Sequence, residues 1–501
     1  MNELDAYYAE REHWDTIRAS LDRIDAIRAS VPPPPPPGPP TITVPAGAVL
    51  QTVLDIAPAG ATLALERGAT FYGRYIARQP VRLTTAGEWG QARIRPDSPV
   101  AWLRSPGNEP ALTILSHGVT ACSIGIMGND LPGTALRVGD GELADWDSQP
   151  ADVHLDGVLL RVLDDRELHR AIAWHGGRGG SIRRCHVEGV KKAGQETQAL
   201  WISNGHGDLD VEDNFLECAS IGILIGGAPQ YLSGGIPTGI RIRGNDLPKR
   251  REWFGLPYVC KNAIELKCGV DVEIEGNRGS GVVNGENQGG YWLVLTTKDN
   301  GHRSPWIRIH NARVRNNVFT DCAAGIKLSA VYTEQQDDGT WQPVPSDGAS
   351  LITIENNLTV ADRQLGVAEG RRQGAAFLTY MQGPVPDLTV IGNTLLGNHP
   401  HWWYCEGAPN ERGRFGGNVG LHGTYGFSGN GTTGHAVNTW ARYFPGGLWT
   451  ANVLAGGTAS RYPPGSVLPS VEALRAGMVD VAAGQFQMRA DGPYAGLGYQ
   501  P

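Results

Sequence analysis

Six copies of one phrase decide the fold: Val211-Glu-Asp-Asn214, Ile242-Arg-Gly-Asn245, Ile274-Glu-Gly-Asn277, Val314-Arg-Asn-Asn317, Ile354-Glu-Asn-Asn357 and Val390-Ile-Gly-Asn393. Successive Asn residues are 31, 32, 40, 40 and 36 positions apart. Fainter copies extend the series upstream (Ile182-Arg-Arg-Cys185, Leu155-Asp-Gly-Val158, Ile126-Met-Gly-Asn129) and downstream (Phe415-Gly-Gly-Asn418, Trp449-Thr-Ala-Asn452). Such a period, with strand-type alternation and no helical unit, predicts a solenoid of β-coils. Parallel strands of successive coils stack about 4.8 Å apart. An Asn at the same corner of each coil can hydrogen-bond to its copies above and below, and it tolerates a left-handed turn. The expected fold is all-β: a right-handed parallel β-helix of about ten coils.

Composition agrees. The 501-residue chain is 41% hydrophobic and 19% charged, enough for one long core. Glycine, at 68 residues, is well above the usual ~7%, as in turn-dense β-proteins. A net charge of -8 disfavours a nucleic-acid groove. No apolar run is long enough to span a membrane. Seven cysteines, at 122, 185, 218, 260, 268, 322 and 405, show no metal-type spacing. An odd number excludes a complete disulfide framework, so they read as reduced fillers. No cofactor or metal is expected. The N-terminus does not read as a signal peptide, which predicts synthesis in the cytoplasm and another route outward.

Residues 1–31 read as a helix with a seam at Trp14, Ile17, Leu21, Ile24, Arg28 and Val31. So short a helix needs partners: a small parallel bundle or a larger assembly. Residues 32–40, eight prolines and one glycine, form a polyproline rod spanning roughly 28 Å. The expected organisation is an anchor over 1–31, a linker over 32–44, a capped solenoid over 45–455 and a closing segment over 456–501. Leu50–Ala57 reads as a short helix covering the open end of the solenoid.

The stretches LQTVLDIAPAGATLALERGATFYG (50–73), GQETQALWISNGHGDLDVEDNFLECASIGILIGG (194–227), KNAIELKCGVDVEIEGN (261–277) and DGPYAGLG (491–498) resemble the right-handed β-helix proteins of the pectate-lyase-like superfamily. The resemblance covers most of residues 45–495. It implies the fold, and a function among lyases, hydrolases, epimerases, adhesins and phage tailspikes. The helix and proline leader instead resembles the virion-attachment end of a phage tailspike or fibre. Together these imply a tailspike-like homotrimer, virion-associated and extracellular after release. Residues 1–31 would dock on a virion or other assembly protein, and the body would bind a bacterial surface polysaccharide, with or without depolymerising it. The alternatives are a bacterial carbohydrate-active lyase, hydrolase or epimerase with an incidental leader, and a non-enzymatic structural or decoration protein of a particle.

Coil lengths point to a site. After Asn214, inward residues Ile223 and Ile225 come at +9 and +11, and Ile326 and Leu328 follow Asn317 at the same spacing. Elsewhere this strand is delayed: Leu200 and Ile202 after Cys185, Ile264 and Leu266 after Asn245, Phe377 after Asn357, and Tyr291–Thr296 in the Asn277 coil. Insertions therefore recur at one corner (Lys191–Gln198, Leu247–Lys261, Arg278–Gly290 and Ala361–Gly374), walling one strand face. The outward residues of that face include Trp201, Ser203, Leu224, Glu265, Lys267, Lys327 and Ser329. Candidate catalytic residues are Glu265, Glu196, Lys267 and Lys327. Glu265 paired with Glu196 or Glu286 would suit hydrolysis, and the lysines would suit an acidic sugar. Candidate substrate-binding residues are Trp201, Gln198, Trp253, Tyr258, Glu286, Asn287 and Trp292. Trp402-Trp403-Tyr404 reads as a sugar platform or a subunit contact, and the dispersed histidines as surface or turn residues.

Overall fold

The structure, a computed structural model, describes residues 40–87, 94–285, 289–335 and 339–501. The leader over 1–31 and nearly all of the polyproline rod lie outside the described residues. Thr41–Pro501 is one compact unit.

Three parallel sheets run the length of this unit. Sheet A has 14 strands, from Thr41–Val44 to Leu448–Thr450. Sheet B has 13, from Thr70–Tyr72 to Val453–Ala455, and sheet C has 12, from Tyr75–Ala77 to Gly426–Gly429. Through the body, each turn visits A, then B, then C, and each strand pairs with its equivalent one coil on. Strand twist makes such parallel connections right-handed. The chain is a right-handed parallel β-helix. It has more turns than the ten expected, because the early coils lack the Asn that marks the later ones.

The Asn residues form a continuous ladder at the A-to-B corner. Asn214 Nδ2 donates to Asn245 Oδ1 at 2.8 Å and to the carbonyl of Ile182 at 2.8 Å. Equivalent bonds of 2.8–3.0 Å run from Asn245 through Asn277, Asn317, Asn357, Asn393 and Asn418 to Asn452. All eight are fully buried. The left-handed backbone falls on the residue before each Asn: φ is 54° at Asp213, 58° at Asn316 and 52° at Asn356, with Gly at 244, 276, 392 and 417. That is why the third residue of the phrase is Gly, Asn or Asp in all six clear copies. Upstream, the pairing of Leu155 with Ile182 and with Ala121 puts Cys185, Val158 and Ile124 at the ladder position. Asn129 is therefore out of frame. It follows a sheet B strand and donates to the carbonyls of Glu109 and Thr134.

Inward aliphatics form one core along the axis. The helix Leu50–Ile56 buries Leu50 and Leu54 against its first coils. At the other end the core turns aromatic, with Trp402, Trp403, Phe415, Phe427 and Phe444 packed near the helix Ala436–Tyr443. The closing segment, residues 456–501, has secondary structure of its own. It holds the helix Val471–Ala476 and an antiparallel pair, Met478–Asp480 with Gln485–Met488. Its last residues are tied back to earlier coils through Thr394 and Asn356.

All seven cysteines are free and buried. Burial pushes the thiols of Cys185 and Cys268 up to about 12. We expect no thiol of the native protein to react with an aromatic disulfide reagent at pH 8, and all seven to react after unfolding; rapid native labelling of any of them would contradict this packing. No helix among the described residues is long and apolar enough to cross a membrane.

Candidate functional site on the outer face of sheet C

One outward register row runs along sheet C: Trp201, Leu224, Glu265, Val294, Lys327, Tyr380, Tyr404 and Ser428, each beside the next. Two positions along each strand lies a second row, including Ser203, Lys267, Thr296, Ser329, Gln382 and Glu406. Alternation places both rows outside because Leu200, Ile223, Ile264, Leu293 and Ile326 fill the core.

Glu265 is the centre of this floor and is 1% exposed. Its carboxylate meets Lys267 Nζ at 2.6 Å and Lys261 Nζ at 3.3 Å. Lys261 also reaches Glu196 at 2.7 Å. Burial alone would raise the Glu265 pKa, but the two ammonium groups, Lys267 foremost, outweigh it and hold the carboxyl at about 2. Burial works to lower the Lys261 pKa, but Glu265 and Glu196 keep it above the ordinary value. Lys327 differs. Its Nζ sits 5.5 Å from the centre of the Tyr380 ring, and burial followed by the charge of Lys267 lowers its pKa. Tyr380 donates its hydroxyl hydrogen to Glu406, and burial plus that bond raises its pKa. Phe377 stacks on Tyr404 at 4.2 Å and meets His401 at 5.0 Å, which meets the exposed Tyr425 at 4.7 Å.

The structure brings Glu265, Glu196, Lys267 and Lys327 into one neighbourhood and keeps Trp201 on the same face. Trp201 is held by its Nε1–H donated to the carbonyl of Gly226 and by the Arg170 guanidinium 4.3 Å over its ring. Gln198 is buried and accepts from Arg170 at 3.0 Å, so it braces that cation instead of facing solvent. Trp292 does not reach the surface. It turns inward, stacks on Phe319 at 4.0 Å and donates to Thr359. Trp292 and Leu293 both enter the core because the chain bends at the B-to-C corner, where strand parity fails. Trp253 is buried inside the wall with Phe254, Cys260 and Val283, and the half-buried Tyr258 packs against them. Glu286 and Asn287 lie outside the described residues.

The insertions do build one wall. Ala193 bridges to Tyr258 and Asn284 to Arg372. Arg371 donates from Nη2 to the carbonyls of Trp253, Leu256 and Tyr258 at 2.8–3.0 Å. Hydrogen bonds from a charged donor are worth about 1.5–3 kcal/mol each when buried, and less here, where the two hydrogens of Nη2 are shared among part-buried and exposed carbonyls. Arg371→Ala should therefore loosen the wall while the solenoid stays folded. Protease nicking within 249–262 should rise at least tenfold with little change in melting temperature, and unchanged nicking would show that the clamp is dispensable.

Tyr380 and Glu406 escape the sequence reading, which takes Phe377 as the first inward position, and Tyr404 enters it only as part of the Trp402-Trp403-Tyr404 cluster. The inward partner of Ile326 is Thr379, so the frame in that coil is shifted by two. Anchoring on Thr379 and Met381 would have exposed Tyr380 beside Lys327. Of Trp402-Trp403-Tyr404, only Tyr404 faces outward. Lys261 ends an insertion, and nothing in its local sequence marks it as a partner of Glu265.

No family model matches the sequence, and comparison with curated proteins finds no match. Solved structures do match in fold. A PL6 family alginate lyase aligns with a TM-score of 0.54 at 13% identity, over 92% of this chain and 56% of the lyase. The catalytic domain of a GH87 α-1,3-glucanase in complex with nigerose aligns with a TM-score of 0.50 at 11% identity, over 88% of this chain and 70% of that one. The shared property is the parallel β-helix. The chain spans little more than half of the lyase's length.

Proposed function

We propose that the sheet C face binds an acidic polysaccharide of the bacterial surface and cleaves it by elimination. The observation that carries this reading is the row Glu265–Val294–Lys327–Tyr380, with Lys261 and Lys267 clamping the carboxylate. A carboxyl held at about 2 between two ammonium groups is a poor proton donor at neutral pH, so Glu265 does not suit the acid role of hydrolysis. Lys327, its pKa lowered by burial, suits a base for the proton beside a sugar carboxyl group. The neighbouring lysines supply positive charge to the developing anion. Tyr404, Tyr380 and the exposed Tyr425 offer aromatic surface for sugars further along the face. An alginate lyase and an α-1,3-glucanase among the fold neighbours support a polysaccharide as the ligand class.

The leader sequence supports placing this body in a tailspike-like virion protein, as a homotrimer anchored through residues 1–31. The cleavage test is turnover of uronate-containing host glycans, followed by the ultraviolet absorbance of the unsaturated product. Lys327→Ala should lower turnover by at least about 100-fold while leaving glycan binding within a few-fold. Wild-type turnover in that variant would remove Lys327 from the chemistry. New reducing ends without the unsaturated chromophore would mean hydrolysis, and binding without turnover would mean an adhesin.

A further inference from the structure

A second constellation lies on another face. On sheet A, His154 in strand His154–Asp156 pairs in register with Ser181 in strand Gly180–Arg183. His154 Nδ1 is 2.8 Å from Ser181 Oγ, and His154 Nε2 is 2.9 Å from Asp152 Oδ1. With the ring proton on Nε2 and donated to Asp152, Nδ1 is free to accept from the serine hydroxyl. His154 and Ser181 line a half-open cavity of 640 Å³ on the outer face of sheet A, rimmed by the charged side chains of Arg82, Asp156, Arg183, Arg184, Glu212 and Asp213.

Two comparable pairs within the same molecule isolate what is distinctive here. His310 bonds Ser350 at 2.9 Å and His401 bonds Ser428 at 2.5 Å, each between neighbouring coils. A cross-coil His–Ser contact is thus a recurrent product of stacking. Among the described residues, neither of those imidazoles carries a carboxylate on its second nitrogen. His154 does, and it opens onto the cavity. A nucleophile within reach of a base that a third group orients is the arrangement acyl transfer requires.

We propose that Ser181, His154 and Asp152 hydrolyse short carboxylic esters in the sheet A cavity. Ser181 Oγ attacks the acyl carbon as its proton passes to His154 Nδ1. The bond to the alcohol oxygen then breaks, and that oxygen takes the proton from Nδ1. Water attacks the resulting acyl-serine, again giving a proton to Nδ1. The acid departs and Ser181 Oγ regains its hydrogen. Asp152 holds the ring tautomer throughout. Arg183, two residues along the strand on the same face, is the nearest cation in sequence to meet the carbonyl oxygen. It is itself balanced by Asp210 at 2.7 Å and Glu212 at 3.2 Å. An O-acyl substituent on a glycan is a substrate of this class.

The test uses the full chain and needs no variant to begin. A fluorophosphonate probe is applied to the native protein and the modified serine located by peptide mass spectrometry. The expected result is labelling of Ser181, with Ser350 and Ser428 unmodified. Hydrolysis of p-nitrophenyl acetate should fall at least about 100-fold in Ser181→Ala and about tenfold in Asp152→Asn. Glycan binding on sheet C should be unchanged in both. Absence of the probe from Ser181, or equal labelling of Ser350, would overturn the proposal, as would p-nitrophenyl acetate turnover by Ser181→Ala at the wild-type rate.

Discussion

Glu265→Gln is expected to cost about 3 kcal/mol at pH 7 and to flatten the loss of stability in acid. The carboxyl sits at about 2 in the folded protein against an ordinary 4.5. That difference of about 2.5 units corresponds to about 3 kcal/mol. The sign follows from the direction of the shift. A carboxyl whose folded pKa is depressed contributes in full above its unfolded value, and the contribution fades as pH falls from 4.5 toward 2. Other carboxylates also titrate in this range, so the informative quantity is wild type minus variant in urea unfolding at pH 7 and at pH 3. That difference should shrink by about 2 kcal/mol on acidification. Equal stabilities at both pH values would mean that Lys261 and Lys267 do not hold Glu265 as described. Glu196 is roughly half exposed, so Glu196→Gln should cost well under 1 kcal/mol.

Asn317→Ala should be more damaging still, by about 4 kcal/mol. Its amide donates to Asn357 Oδ1 and to the carbonyl of Ile274, each at 2.9 Å. Its Oδ1 accepts from both the backbone N–H and the Nδ2 of Asn277 at 3.0 Å. Truncation leaves two donors of Asn277 and the Ile274 carbonyl buried without these partners, at about 1–3 kcal/mol each. Asn452 ends the ladder: its truncation strips both donors of Asn418 and the Phe415 carbonyl in the same way, but it has no further Asn to donate to, so Asn452→Ala should cost less only by that onward bond, about 1 kcal/mol. Because solenoids unfold repeat by repeat, amide hydrogen exchange is the suitable readout. Protection should fall most in the coils on either side of residue 317. A loss no larger than at Asn452 would show that the ladder is not cooperative.

The repeat was legible because one buried amide per coil leaves a fixed residue at a fixed place. The corner insertions were legible too, since the delay between Asn317 and Ile326 could be compared with longer delays in neighbouring coils. What failed was parity at the bends. Trp292 and Phe377 stand where a strand begins, and there the backbone turns two consecutive residues the same way or shifts the frame by two. Long-range partners failed for a different reason. Lys261, on an insertion, meets Glu265 only because the wall folds back over the floor. His154 and Ser181 meet only because one coil lies on the next, and neither carries a local signature. The charged face foreseen on sheet C has a fuller counterpart on sheet A, where Asp210, Arg241, Glu273 and Arg313 alternate in one row beside Glu212, Arg243, Glu275 and Arg315 in the next.

Between Asn214 and Asn452 length varies at the B-to-C and C-to-A corners and is constant at the A-to-B corner, which separates the part of each coil that stores stability from the parts that can meet a ligand. Along that stretch the ladder keeps the same two bonds per step, backbone N–H and Nδ2 onto the next Oδ1, whether the asparagines are 25 or 40 residues apart. The solenoid therefore behaves as a chassis with interchangeable panels. Panels such as 249–262 or 362–376 can be lengthened, shortened or exchanged, and the change in recognition need not be transmitted to the spine. Such decoupling allows the specificity of a solenoid to be retuned without refolding the molecule that carries it.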